Sequence, residues 1–208
     1  MLSLKYHFLF VHIPKTAGNS IQSALAPFSD DRLIKEYEFQ DGRERFGIKN
    51  EEFEYPKHAT LREYKRILPE ITYHSLTKFT VVRNPWDRLI SRYFSPHEGR
   101  KEFDRELFKR IIHQSQPLDY YVNSSPNWSR LFPINPLKSS EIDFFLKFEN
   151  LEEDFSKICS FLGLSNLSLE NLNYSQRFDY QYYYDFPLKE KVYNKFRKEI
   201  NFFGYEFD

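Results

Sequence analysis

Between Val11 and Ser20 the chain reads Val-His-Ile-Pro-Lys-Thr-Ala-Gly-Asn-Ser, a lysine and a tight turn set between an apolar run and an amphipathic stretch. Lys15 supplies a full positive charge. A turn that opens a helix also presents main-chain N–H groups with no intrahelical partner, at the positive end of the helix dipole. Together they suit an anionic group such as a phosphate. No Asp or Glu occurs from Met1 to Ser29, so nothing in that segment repels such a group. A second candidate pair is Arg83 and Ser91, in Arg83-Asn84-Pro85-Trp86-Asp87-Arg88-Leu89-Ile90-Ser91. A guanidinium can give two parallel charge-assisted hydrogen bonds to phosphate oxygens, and a hydroxyl can donate a third. His58 is the candidate base, because an imidazole with its ordinary pKa of about 6.5 is largely neutral near pH 7 and accepts a proton.

The flanking residues say what positions these groups. Phe8, Leu9, Phe10, Val11 and Ile13 form a short apolar run that reads as a buried strand. Ile21, Ala24, Leu25 and Phe28 then recur at helical spacing, placing a helix N-terminus near Asn19 or Ser20. Phe79 to Val82 read as another strand. Asn84 is suited to cap the helix that follows, Pro85 to its first position and Asp87 to its first turn. Trp86, Leu89, Ile90 and Tyr93 define the buried face of that helix, with Asn84, Asp87, Arg88 and Ser91 on the other. Strands alternating with helices imply an α/β fold with a central, mostly parallel sheet flanked by helices. Ligands of such sheets bind at the carboxyl ends of the strands, where Lys15 and Arg83 would converge. Taken singly, Arg83 is equally an ordinary strand-end charge, and Ser91 equally part of a solvated helix face.

The loop is not the Gly-x-x-x-x-Gly-Lys-Ser/Thr of nucleotide triphosphatases, since Lys15 precedes Gly18 and no second glycine is present. His12-Ile13-Pro14-Lys15-Thr16-Ala17-Gly18-Asn19-Ser20 instead resembles the 5′-phosphosulfate loop of sulfotransferases that use 3′-phosphoadenosine 5′-phosphosulfate (PAPS), in the form seen in their carbohydrate branch. The Arg83 to Ser91 segment resembles that family's grip on the 3′-phosphate. The resemblance implies a P-loop-like three-layer fold and a PAPS-dependent transferase acting on a carbohydrate or other hydroxyl-bearing acceptor. It implies that Lys15 stabilises charge during transfer, that Thr16, Ala17, Gly18, Asn19 and Ser20 surround the 5′-phosphate, and that Arg83 and Ser91 take the 3′-phosphate. Asn19 stands where relatives commonly have Thr. The setting of His58, Tyr55-Pro56-Lys57-His58-Ala59-Thr60, resembles that of the catalytic histidine in uronyl 2-O-sulfotransferases. The alternative reading of His58 is a packing or capping residue at a helix start. His12 is its rival, expected to orient the loop, and Arg177 is a further candidate for the 3′-phosphate. The string Glu149 to Phe155 and the ending Phe203-Gly204-Tyr205-Glu206-Phe207 also look like this family.

The whole chain bears on partners as well. With 208 residues, 30 basic and 30 acidic, it has no net charge and so no global field pointing to nucleic acid. The one cysteine, Cys159, falls on an apolar helical spacing and reads as core. The histidines show no metal-ligand spacing and neither motif offers paired carboxylates, so no metal is expected. The N-terminal apolar run is broken by Pro14 and Lys15, so a single domain over residues 1–208 with no membrane anchor, cytoplasmic in location, is expected. Two other functions stay open: a phosphotransferase using ATP and magnesium, and a non-catalytic nucleotide- or glycan-binding protein.

Elsewhere Asp30 to Pro56 read as a charged excursion, with Asp41-Gly42 and Phe46-Gly47 as turns. Helices are expected over His58 to Leu68, Glu102 to His113, Asn150 to Leu162 and Leu188 to Asn201, the third capped by Asn150 and stopped by Gly163. Gln114 to Ser140 are expected to be irregular. That stretch and the excursion are the segments expected to meet the acceptor.

Overall fold

The computed structural model describes residues 1–35, 46–50, 52–124, 140–164, 167–170 and 177–208. Three parallel strands, β2 (Phe8–Val11), β6 (Thr77–Val82) and β7 (Phe144–Lys147), form the central sheet, and β1 (Leu2–Ser3) adds antiparallel to β2, giving the order β1-β2-β6-β7. Alternation along the strands feeds both faces, as a sheet covered on two sides requires. Phe8, Phe10, Phe79, Val81 and Leu146 pack with Ile21 and Leu25 of α1 (Gly18–Leu25) and with Phe155, Ile158 and Cys159 of α7 (Leu151–Phe161). Leu9, Val11 and Val82 face the opposite layer. It is built from Leu61 and Tyr64 of α2 (Leu61–Ile67), Tyr73 of α3 (Glu70–Ser75) and Leu118, Tyr121 and Val122 of α6 (Leu118–Val122). A further cluster joins α4 (Pro85–Tyr93), α5 (Arg105–Gln114) and α8 (Phe186–Phe203) through Trp86, Leu89, Ile90, Phe108, Ile112, Val192 and Phe196. This is the three-layer α/β architecture the motif order implies.

Register places the two motifs side by side. Val11 is opposite Thr80, whose hydroxyl donates to the Val11 carbonyl at 2.7 Å, so the chain leaves β2 and β6 at the same sheet end. From β2 it turns through residues 12–17 into α1. From β6 it turns through Arg83 and Asn84 into α4. Asn84 caps α4 by accepting from the Trp86 N–H at 3.1 Å, with Pro85 first in the helix and Asp87 in its first turn, as the residue types dictate.

Several expectations need correction. The helix after His58 begins at Leu61, because Thr60 is its N-cap in a capping box with Glu63, which leaves His58 in the preceding turn. The excursion holds a second antiparallel sheet, β3 (Arg32–Lys35), β4 (Phe46–Lys49) and β5 (Glu54–Pro56). Phe46 and Gly47 are therefore strand residues, paired with Lys35 and Ile34, while Asp41-Gly42 lies outside the described residues. Asp104, not Glu102, opens α5, accepting from the Glu106 and Leu107 N–H groups. Asn150 makes no capping bond; a 3-10 turn at Phe148–Asn150 leads into α7, and the Asn150 amide turns toward Glu153 and Asp154. Gly163 does end that helix, at φ +70°. Leu118–Val122 is helical within the stretch expected to be irregular, whose residues 125–139 lie outside the described ones. α8 runs beyond its expected limits at both ends, capped by Asp185.

Candidate functional site

The β2–α1 loop is held by strain and packing. Lys15 and Ala17 both adopt left-handed backbone, at φ 69° and 64°, a conformation that costs a non-glycine residue about 1–2 kcal/mol. Left-handed residues in a turn that opens a helix can aim successive N–H groups into one concavity of the kind that suits an anion. The buried Thr16 hydroxyl donates to the Ile13 carbonyl at 2.9 Å, so that side chain braces the loop from within. The buried His12 ring lies where a side chain on residue 18 would go: a Cβ built there would sit 1.9 Å from His12 Cδ2. Gly18 is thus required by contact with His12. The ring is fixed in turn by Gln22, whose Oε1 accepts from His12 Nδ1 at 3.0 Å. Burial, then the charges of His58 and Lys57, hold the His12 pKa well below its ordinary value, so the ring is neutral.

Arg83 meets this loop directly. One terminal nitrogen donates to the Lys15 carbonyl at 3.2 Å, while Nε and the other terminal nitrogen reach Asp87 at 2.7 and 2.6 Å. The guanidinium lies over the Phe148 ring, 3.7 Å from its centroid. Burial lowers its pKa and the Asp87 carboxylate opposes that, so the group stays charged. Asp87 also accepts from Arg177, which places one carboxylate between two guanidinium groups. A guanidinium has five N–H donors, and these bonds use three of those on Arg83, leaving two for an incoming anion. Ser91 stands one turn beyond Asp87. The Lys15 ammonium reaches past the end of α4 and donates to the Ser95 hydroxyl at 3.2 Å.

His58 is tied to the same loop. Its Nδ1 lies 2.9 Å from the His12 carbonyl oxygen. A carbonyl only accepts, so Nδ1 carries the hydrogen and the lone pair of the neutral ring is on Nε2. The His12 and His58 rings meet edge to face, with centroids 4.5 Å apart.

Lys15, Ala17, Gly18, Asn19, Ser20, His58, Arg83 and Ser91 all line one cleft of about 1310 Å³, above the roughly 300–1,000 Å³ usual for one small ligand. It has room for a nucleotide and a second reactant together. Thr16 alone of the expected residues is turned away from it. Sequence reasoning missed the Arg83–Asp87–Arg177 cluster, although the i, i+4 spacing of Arg83 and Asp87 signalled its first half. It also missed Ser95, Phe148 and Gln22. Acids line the cleft as well; one of them, Glu149, is held by the Asn84 N–H at 2.7 Å and by Tyr205. Among the described residues no group of three or more His, Cys, Asp or Glu could hold a metal ion, and no helix is long and apolar enough to cross a membrane.

A family model described as the sulfotransferase family matches residues 1–206. The chain belongs to the sulfotransferase family. No curated protein and no solved structure matched it. A sulfotransferase moves a sulfuryl group from a donor to an acceptor, and its site must hold anionic groups firmly while admitting that acceptor. In this sulfotransferase the loop N–H groups, Lys15, Arg83 and Arg177 all belong to one large cleft, which brings cationic and N–H donors together in a single space.

Proposed function

We propose that the protein transfers a sulfuryl group from PAPS to a hydroxyl of a carbohydrate, with His58 as base and residues 1–208 acting as one domain. The observation that carries this reading is the bond from Arg83 to the Lys15 carbonyl: it sets a guanidinium against the β2–α1 loop, so that two groups of anion donors line one cleft, which supports two phosphate contacts. A nucleotide bearing both 5′ and 3′ anionic groups fits that donor set. The donor, when bound, supplies a sulfuryl group on a phosphate leaving group. Main-chain N–H groups of residues 17–20 and the Ser20 hydroxyl hold the 5′-phosphate, with Thr16 keeping the loop in shape. Lys15 neutralises the negative charge that grows as the bond to sulfur breaks. The remaining donors of Arg83, with Ser91, hold the 3′-phosphate. His58 Nε2 takes the acceptor's proton, and Nδ1–H, kept on the His12 carbonyl, stabilises the imidazolium that forms.

Calorimetry with 3′-phosphoadenosine 5′-phosphate and with ATP tests the donor. Tight binding of the bisphosphate and weak binding of ATP are expected; the reverse would favour a phosphotransferase. His58→Ala should lower the rate of transfer by about 10²–10⁴-fold with bisphosphate affinity preserved, and full activity in that variant would remove the base from the mechanism.

A further inference from the structure

The Arg83 end of the cleft is assembled from stretches that lie far apart in the chain. Arg83 and Asp87 come from the β6–α4 junction, the Phe148 ring against the Arg83 guanidinium from the turn before α7, and Arg177 from the segment that precedes α8. Two guanidinium groups around one carboxylate repel each other. Their spacing therefore depends on how firmly the backbones behind them are joined.

Residues 205–208 make that joint. α8 ends at Gly204, where φ is +67°, and the Gly204 and Tyr205 N–H groups both close on the Ile200 carbonyl. The chain then touches each stretch in turn. The Tyr205 hydroxyl lies 3.3 Å from Glu149 Oε2 as its donor, beside Phe148. The Glu206 carbonyl accepts from Asn84 Nδ2 at 2.9 Å, beside Arg83. The Phe207 ring meets Trp86, Tyr180 and Tyr184 edge to face, with centroids 5.5, 5.4 and 5.4 Å away. The main-chain oxygen of Asp208 accepts from the Tyr180 hydroxyl at 3.2 Å and from Gln181 Nε2, shortly after Arg177. Asn84 is the centre of this joint. Its N–H goes to Glu149 at 2.7 Å, its Oδ1 accepts from the Trp86 N–H, and its Nδ2 goes to Glu206, so the residue next to Arg83 is held from three directions. Tyr184 adds a bond from its hydroxyl to the Trp86 carbonyl at 2.9 Å. Residues 205–208 do not line the cleft themselves; they act through Asn84, Glu149 and Tyr180.

We propose that residues 205–208 are a positioning segment that fixes the spacing of Arg83 and Arg177 and so makes the cleft select nucleotides bearing a 3′-phosphate; the second half rests on the donor reading above. Cations held at the right separation before binding spare the cost of ordering them around the anion. Phe207 is the principal positioning residue, since its ring bridges α4 and the segment that carries Arg177.

Calorimetry with 3′-phosphoadenosine 5′-phosphate and with adenosine 5′-phosphate tests this on the full chain, because the two nucleotides differ only in the 3′-phosphate. In Phe207→Ala the preference for the bisphosphate should fall about tenfold, the worth of one charge-assisted contact, with affinity for the monophosphate held within about twofold. Phe207→Leu, which keeps apolar bulk, should recover part of the preference. Tyr205→Phe removes a single hydroxyl; it should lower the preference by a smaller factor and decides the matter if Phe207→Ala does not fold. Amide hydrogen exchange gives a readout without ligand: in these variants it should quicken across residues 84–88 and 178–184 and stay as in wild type across the β2–α1 loop and α1. An unchanged preference in the folded variants, equal loss of both nucleotides, or equal quickening of exchange throughout the chain would overturn the proposal and leave residues 205–208 as ordinary packing. If the wild-type protein bound the two nucleotides alike, the 3′-phosphate assignment of the donor reading would fall instead, and the exchange pattern would still decide whether the segment fixes the arginines.

Discussion

The two ends of the proposed donor cradle are held in place by opposite means. At the Lys15 end the work is done by backbone and neutral groups: two left-handed residues, a buried threonine hydroxyl, a glycine pressed against an imidazole, and a glutamine behind that imidazole. At the Arg83 end it is done by charge, with one carboxylate shared by two guanidinium groups and an aromatic ring beneath one of them. The first end is braced by internal contacts that do not involve an anion. The second already contains an internal anion, so a bound phosphate adds to a satisfied network. We read the difference as one of task. Charge that develops during a reaction is best met by groups fixed in advance, whereas a phosphate that only anchors the nucleotide can be met by side chains.

Lys15→Ala tests that division most severely. It should cut transfer by about a thousandfold, some 4 kcal/mol of transition-state stabilisation, while raising the dissociation constant of the bisphosphate less than tenfold. Single-turnover rates and calorimetry on the same variant decide it. A variant whose binding and rate fell together would make Lys15 one more anchor and erase the contrast.

Gly18→Ala comes next. The added methyl meets the His12 ring, which is hemmed in by Gln22 and by the His58 ring, so loop and ring cannot both stay in place. Overpacking of this kind costs about 1–3 kcal/mol. Guanidinium unfolding should show that loss, and bisphosphate affinity should fall with it. An unchanged midpoint would mean that the loop is softer than its contacts imply.

How much of this was readable in the sequence follows the same contrast. The Lys15 end was legible because its parts are neighbours in the chain: strand, turn and helix are consecutive, and a lysine beside a helix start has one simple meaning. The start of α4 was legible for the same reason, since Asn84, Pro85 and Asp87 each have a preferred position at a helix N-terminus. The Arg83 end was legible only in part, because Asp87 and Arg177 are 90 residues apart and spacing along the chain cannot pair them. Arg88 shows the cost of reasoning from one helix alone. Its place opposite Trp86 and Leu89 reads as solvated, yet it is buried against Glu199, 111 residues away. The start of α2 was a different kind of miss, for Thr60 and Glu63 carry a capping box in plain view.

Asp87→Asn probes the charged end. Removing one partner of a largely buried ion pair leaves the others uncompensated. With two guanidinium groups losing their counter-ion, the ligand-free protein should lose about 2 kcal/mol. The bisphosphate should restore part of this, because its 3′-phosphate brings a replacement anion, so the ligand-induced rise in melting temperature should be larger in the variant than in the wild type. A smaller rise would mean that Asp87 serves the phosphate by orienting Arg83 rather than by balancing its charge.

The smallest expected effect is a difference in pH dependence between the ends. His12 is neutral in the native protein because burial, reinforced by His58 and Lys57, holds its pKa well below the usual value. In the unfolded chain it returns to about 6.5. As pH falls below that value the unfolded state takes up a proton that the native state refuses. The associated stability is thus complete above about pH 6.5 and declines as pH drops toward the native pKa, by at most about 1.4 kcal/mol per pH unit. His12→Asn keeps a donor for Gln22 but cannot titrate. It should be less stable than wild type at pH 7.5, and the gap should narrow by up to about 1 kcal/mol between pH 6.5 and 5.5 in guanidinium unfolding. Arg83, Asp87 and Arg177 include no histidine, so Asp87→Asn should leave the stability profile between pH 7.5 and 5.5 parallel to that of the wild type. If the His12→Asn profile also ran parallel, the imidazole would take up its proton without unfolding, and the Lys15 end would not be the closed, neutral structure that its hydrogen bonds describe.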